Sequence, residues 1–196
     1  DTNGSAACTD CPRATYNTLT ASTLPAECAV CPTFTDAPAR SDALLDCICR
    51  PGYNGTDGAA CNACPAGQYK TFNGTGVCTH CGIDTYSTVE AANSTDTCVA
   101  CPGVTSTWDT GQNELVDCKC NAGYTGPDGG AACTACIAGK FKPVRGSHAC
   151  TDCPEGTYST STALTQETQC TDCVANFWSV WGSNEASDCY EIFFTT

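Results

Sequence analysis

Apolar side chains in this sequence occur singly or in short clusters, and their most regular placement is tied to cysteine. An aromatic residue stands five positions after the second cysteine of a C-x-x-C pair six times, at Tyr16, Tyr69, Tyr86, Phe141, Tyr158 and Trp178. Pro or Gly usually follows that cysteine, as in Cys64-Pro65-Ala66-Gly67-Gln68-Tyr69 and Cys153-Pro154-Glu155-Gly156-Thr157-Tyr158. Gly and Pro supply turns, so the short segments between them are predicted to be two-stranded ribbons with little helix. Each ring is expected to lie over a disulfide and cover it. The longest apolar feature is Tyr190-Glu191-Ile192-Phe193-Phe194, and no run approaches the ~20 residues that span a bilayer.

Composition sharpens this picture. Of 196 residues, 21 are cysteine and none is methionine. Leu, Ile, Val and Phe together number 25, under the roughly 20% that an ordinary apolar core needs. Burial of aliphatic side chains therefore cannot hold the chain together, and the cysteines are the candidates to do so. A Rossmann enzyme, a helical bundle and a membrane-spanning protein are excluded on this ground. The net charge of −13 and pI near 4.2 repel phosphate backbones and anionic lipid, so nucleic acid is not an expected partner. The chain lacks an initiator Met and a signal peptide, which reads as a mature chain or a portion of a longer one.

The cysteines form eight C-x-x-C pairs, two C-x-C pairs (Cys47/Cys49 and Cys118/Cys120) and a lone Cys189. Shifted by 70 to 72 residues, the chain maps onto itself: Cys47 and Cys49 fall on Cys118 and Cys120, and Cys61 and Cys64 on Cys133 and Cys136. Gly52-Tyr53-x-Gly55 likewise falls on Gly123-Tyr124-x-Gly126. Such periodicity marks a repeat array. The expected organisation is a partial cysteine-rich repeat over 1–46, complete repeats over 47–117 and 118–189, and an apolar tail over 190–196.

Spacing leaves two disulfide frames open. In one, each loop closes on itself: 11–28, 31–47, 49–61, 64–78, 81–98, 101–118, 120–133, 136–150, 153–170 and 173–189, with Cys8 left over. In the other, the pairs interlock as 8–28 with 11–31 and 47–61 with 49–64, and Cys189 is left over. A loop of ~15 residues closed by a disulfide is stabilised by ~3 kcal/mol. Loops this local make nearest-neighbour contacts, so an elongated rod is expected.

The C-P-x-G-x-Y loops (Cys64 to Tyr69, Cys153 to Tyr158) and the C-x-C-x-x-G-Y-x-G loops resemble ephrin-receptor-like cysteine-rich repeats, relatives of EGF-like and TNF-receptor-like modules. The resemblance covers nearly the whole chain and implies a small disulfide-rich fold. It also implies the sequential frame, because Cys49 to Cys61 and Cys120 to Cys133 match the closing loop of an EGF module, whose first and last cysteines pair. Cys8 is then unpaired or intermolecular. The sequence departs from the family pattern at Glu191, where a further cysteine would stand, so the array is expected to stop at Cys189.

Other chemistries fit less well. Paired C-x-x-C knuckles also resemble zinc ribbons, but the chain has only two histidines, His80 and His148, so no metal or cofactor is expected. Regularly repeated C-x-x-C motifs read as scaffold rather than as a redox site. No Ser/His/Asp or Cys/His grouping is readable, and no enzyme is expected. Asp57 and Asp128 read as turn residues in Asp-Gly corners. Four N-glycosylation sequons begin at Asn3, Asn54, Asn73 and Asn93, and Asn54 and Asn73 sit in Asn-Gly turns that should expose them. The 30 Thr and 12 Ser add scope for O-linked sugar. Trp178-Ser179-Val180-Trp181 resembles the W-x-x-W signature of C-mannosylation at Trp178; two aromatics capping the last loop is the competing reading.

These features lead to the expectation of a secreted or cell-surface glycoprotein. Its expected role is as a building block of a filament or mastigoneme-like appendage, with self-assembly or other extracellular proteins as partners. Cys8 and the β-prone tail containing Ile192, Phe193 and Phe194 are the candidate connectors. The alternative is a ligand-binding receptor or adhesion ectodomain, with the loop holding Phe177, Trp178 and Trp181 as its contact surface.

Overall fold

The computed structural model describes residues 10–19, 27–130 and 132–191. Ten disulfides join Cys11–Cys28, Cys31–Cys47, Cys49–Cys61, Cys64–Cys78, Cys81–Cys98, Cys101–Cys118, Cys120–Cys133, Cys136–Cys150, Cys153–Cys170 and Cys173–Cys189. Each closes a local loop, and their Cα–Cα distances lie between 5.5 and 5.9 Å. Cys8 lies outside the described residues.

Every loop carries one antiparallel ribbon with two residues in each strand. The first pairs Thr15–Tyr16 with Ala29–Val30, and the last pairs Phe177–Trp178 with Tyr190–Glu191. The turn that starts a ribbon follows from the sequence after the opening cysteine. Proline at the next position presets the backbone in five loops, at Pro12, Pro32, Pro65, Pro102 and Pro154, and the third residue takes the left-handed conformation at Ala14, Phe34, Gly52, Gly67, Asp84, Gly123, Gly139, Gly156 and Asn176. The loop opened by Cys101 bends one residue earlier, at Gly103. A threonine then locks several of these turns. The hydroxyls of Thr15, Thr35, Thr105 and Thr157 donate back to the carbonyls of Pro12, Pro32, Pro102 and Pro154.

Among the described residues, helix is confined to single 3-10 turns, including Leu44–Asp46, Thr95–Thr97, Leu115–Asp117, Glu167–Gln169 and Ala186–Asp188. Each of these stands immediately before a closing cysteine, whose N–H donates to the first residue of the turn. Among the described residues, no helix is long and apolar enough to cross a membrane.

The chain divides into two compact units. One holds the residues up to Cys81 with Ser87–Cys98, and the other holds Gly82–Tyr86 with the residues from Val99 onward. In the first unit, loops are joined by hydrogen bonds from Ala14 N–H to Ala37 O, Gly52 N–H to Lys70 O and Gly67 N–H to Ser87 O. In the second, Gly123 donates to Lys142 O, Gly139 to Ser159 O and Gly156 to Ser179 O, while Asp84 N–H donates to the Thr107 hydroxyl. The acceptor is always the sixth residue after an opening cysteine. That position is buried in every case, at no more than 4% exposure.

The buried apolar interior is mostly cystine. Tyr16 packs against the Cys31–Cys47 bond with Ala37, and Phe141 packs with Leu164 against Cys153–Cys170. Each of these two rings therefore covers the disulfide of the following loop rather than its own. Parallel bridges from Tyr16 to Ser41 and from Phe141 to Leu164 hold them there.

Candidate functional site

The least expected side chains in the interior are two lysines. Lys70 and Lys142 follow the aromatic residues Tyr69 and Phe141, each stand six residues after an opening cysteine, and are buried at 0% and 1% exposure. A buried ammonium must have its donors satisfied. The Lys70 Nζ donates to the carbonyls of Phe72 at 2.9 Å and Gly74 at 2.7 Å, and lies 4.6 Å from the centre of the Phe72 ring. The Lys142 Nζ donates to the carbonyls of Tyr124 and Gly146. Loss of hydration pushes both ammonium pKa values down from 10.5, and the negative charges of Asp57 and Asp128 respectively oppose the shift.

Asp57 and Asp128 thus do more than turn the chain. Each keeps one carboxylate oxygen, Oδ1, buried without a hydrogen-bond partner. The other oxygen of Asp57 accepts from the Thr75 hydroxyl at 3.2 Å, and that of Asp128 accepts from Lys119 Nζ at 3.0 Å. The lysine charge is the compensation for an incompletely bonded carboxylate. Each lysine is a structural clamp: Lys70 ties together two carbonyls of its own loop, and Lys142 ties its own loop to Tyr124 of the preceding one.

The sequons fall in different settings. Asn73 and Asn93 are exposed. Asn54 is half-buried, because it lies in a ribbon strand opposite Asn62 rather than out in the turn. Asn3 lies outside the described residues, as do Ile192, Phe193 and Phe194. Trp178 is 41% exposed and Trp181 60%, beside exposed Val174 and Val180 in the last loop. Part of the Trp178 ring packs on Gly156, where an added Cβ would meet it at 3.1 Å. His80 and His148 are both exposed. Among the described residues, no group of three or more His, Cys, Asp or Glu side chains is placed to hold a metal ion.

Lys70 and Lys142 escape a reading based on cysteine spacing, although their recurrence 72 residues apart is visible in the sequence. The same holds for Trp108 and Arg145, whose guanidinium carbon lies 5.7 Å from the Trp108 ring centre.

Residues 123–170 match the family described as tyrosine-protein kinase ephrin type A/B receptor-like. This stretch is similar to the ephrin-receptor-like cysteine-rich repeats. Its bounds run from the Gly123 turn to Cys170 and take in the Lys142 clamp. Ephrin type-B receptor 2 of Gallus gallus is 41% identical over 49 residues, which is 24% of this chain and 5% of that receptor. Ephrin type-B receptor 1 of the same bird is 41% identical over 46 residues, with the same coverage. A rat (Rattus norvegicus) protein, sushi, von Willebrand factor type A, EGF and pentraxin domain-containing protein 1, is 32% identical over 113 residues, 56% of this chain and 3% of that protein. The chain spans about a twentieth or less of the length of these relatives. Receptor-like cysteine-rich repeats and dense disulfides are the marks of an extracellular or cell-surface segment.

Proposed function

We propose that this chain is a glycosylated structural segment of an extracellular or cell-surface assembly, a building block of a filament or appendage, without catalytic activity of its own. The observation that supports this reading most directly is the recurrence of one loop junction. The same backbone hydrogen bond to a buried sixth position joins six pairs of successive loops, from Ala14–Ala37 to Gly156–Ser179, and at a seventh Asp84 donates to the Thr107 hydroxyl instead. A chain built for one specific ligand needs one distinctive surface, whereas a spacer or polymer subunit needs repeated equivalent joints. Cys8 and the tail with Ile192, Phe193 and Phe194 are the proposed connectors between copies. Electron microscopy of the unreduced protein tests this. Regular filaments that disappear when residues 190–196 are deleted support the reading, and dispersed particles at high concentration overturn it.

A second reading, an adhesion or receptor ectodomain, draws on the last loop, where Val174, Phe177, Trp178, Val180 and Trp181 are all exposed. Aromatic clusters of this kind are typical anchors for a protein partner. Loss of partner capture in a Trp178→Ala variant that leaves particle shape unchanged would favour it.

A further inference from the structure

The two complete repeats offer an internal comparison at the loop that carries Asn73. Nine residues after Cys64 stands Asn73, and nine residues after Cys136 stands Arg145. Six and seven residues after Cys31 stand Ala37 and Pro38, and the same steps from Cys101 reach Thr107 and Trp108. In the second case the space beside the loop is occupied: Arg145 lies over the Trp108 ring, and its Nη1 donates to Thr107 O at 3.1 Å. In the first case the small residues Ala37, Pro38 and Ala39 stand where that aromatic layer would be. An open groove of about 380 Å³ results, walled by those three residues with Ile48, Arg13, Asp36 and Asn73.

Three features suit this groove to a sugar. Its wall is mostly apolar, while the Arg13–Asp36 ion pair supplies a charged donor and acceptor. Its volume is in the ~300–1,000 Å³ range of small-ligand sites. An exposed sequon asparagine stands in its wall on an anchored loop. Gly74 N–H donates to Cys49 O at 2.7 Å, Gly74 O accepts from buried Lys70, and the Thr75 hydroxyl donates to Asp57.

We propose that the N-linked glycan of Asn73 lies in this groove, with its first N-acetylglucosamine in the space equivalent to that filled by Trp108 and Arg145. The sugar is attached in the secretory compartment from an oligosaccharide carried on a lipid diphosphate. The Asn73 amide nitrogen forms a bond to the anomeric carbon and gives up one proton, while the carbon–oxygen bond to the diphosphate breaks and the lipid diphosphate leaves with the electron pair. The apolar sugar face and acetyl methyl then rest on Pro38, Ala39 and Ile48, and the ring hydroxyls and acetamide face Arg13 and Asp36. The proposal depends on the extracellular reading above.

The full chain secreted from glycosylating eukaryotic cells provides the test. Glycopeptide mass spectrometry reads occupancy at Asn73 and Asn93. Amidase release of the intact glycan is then timed on native protein and on reduced, denatured protein. Nuclear Overhauser effects are measured after trimming to a single N-acetylglucosamine. The expected result is occupancy at Asn73, release about tenfold slower than at Asn93 in the native state only, and contacts from the acetyl methyl to the methyls of Ala39 and Ile48. A Pro38→Trp variant, at an exposed position, should fill the groove, abolish those contacts and bring release to the Asn93 rate with the sugar still attached. Equal native release rates without acetyl contacts overturn the proposal, as does a bare Asn73 beside an occupied Asn93. If neither asparagine carries sugar, the extracellular reading falls with it.

Discussion

The N–H of Gly52 donates to the carbonyl of Lys70 at 2.8 Å, which joins the loop closed by Cys49–Cys61 to the next ribbon. Gly52 adopts φ +82°, and a Cβ there would lie 2.2 Å from Ala91 O. Gly123 repeats the arrangement, with φ +80° and 2.4 Å to Ala163 O. Both left-handed backbone and close approach therefore demand glycine at this joint.

Gly52→Ala should cost about 2–4 kcal/mol, since backbone must move to admit the methyl group. Gly74→Ala is the control: φ is +85° but nothing lies within 4 Å of its Cβ, so only the ~1–2 kcal/mol of left-handed strain applies. Denaturant midpoints of the unreduced, unglycosylated proteins will separate the two contributions.

Replacing Lys70 by Met leaves the Phe72 and Gly74 carbonyls without their donor and removes the charge facing Asp57. A loss of about 2–4 kcal/mol is expected, since two carbonyl acceptors lose a charged donor. Adding Asp57→Asn should recover part of it, because the uncompensated carboxylate is then gone. A double-mutant cycle on Lys142 and Asp128 should give the same sign.

The lowered lysine pKa values set a pH dependence. Below the folded-state values, Lys70 and Lys142 are charged in both states, and the full desolvation cost opposes folding. Between those values and 10.5, the unfolded chain holds protons that the folded chain has released, so this contribution to stability rises with pH. Above 10.5 the cost is gone. The stability of the wild type relative to a Lys70→Met/Lys142→Met protein should therefore improve as pH is raised toward 10.5, measured by matched denaturant titrations.

The Cys153–Cys170 bond lies under Phe141 and Leu164. Changing both cysteines to Ala should cost about 2–5 kcal/mol. Since loops contact their neighbours, amide exchange should accelerate at Lys140–Phe141 and Thr157–Tyr158 while the Thr35–Asp36 ribbon keeps its protection.

Much of this fold can be read along the chain because its stabilising bonds are local. Bonded cysteines 12 to 17 positions apart, a Cys-Pro turn and an aromatic residue at the fifth place need no distant partner to be recognised. The ribbons, the sequential disulfides and the scarcity of helix follow from that grammar. Tertiary structure decided what each loop presents to another. It directed Tyr16 and Phe141 onto the following disulfide, buried the sixth residue of the loop, and so enclosed Lys70 and Lys142 where their sequence neighbours suggest exposed charge. It also placed Asn54 within a ribbon, and left beside Asn73 a groove whose counterpart is taken up by Trp108 and Arg145. Burial is a relation between residues of different loops, set by backbone hydrogen bonds such as Gly52 to Lys70, and the spacing of cysteines within one loop carries no information about it.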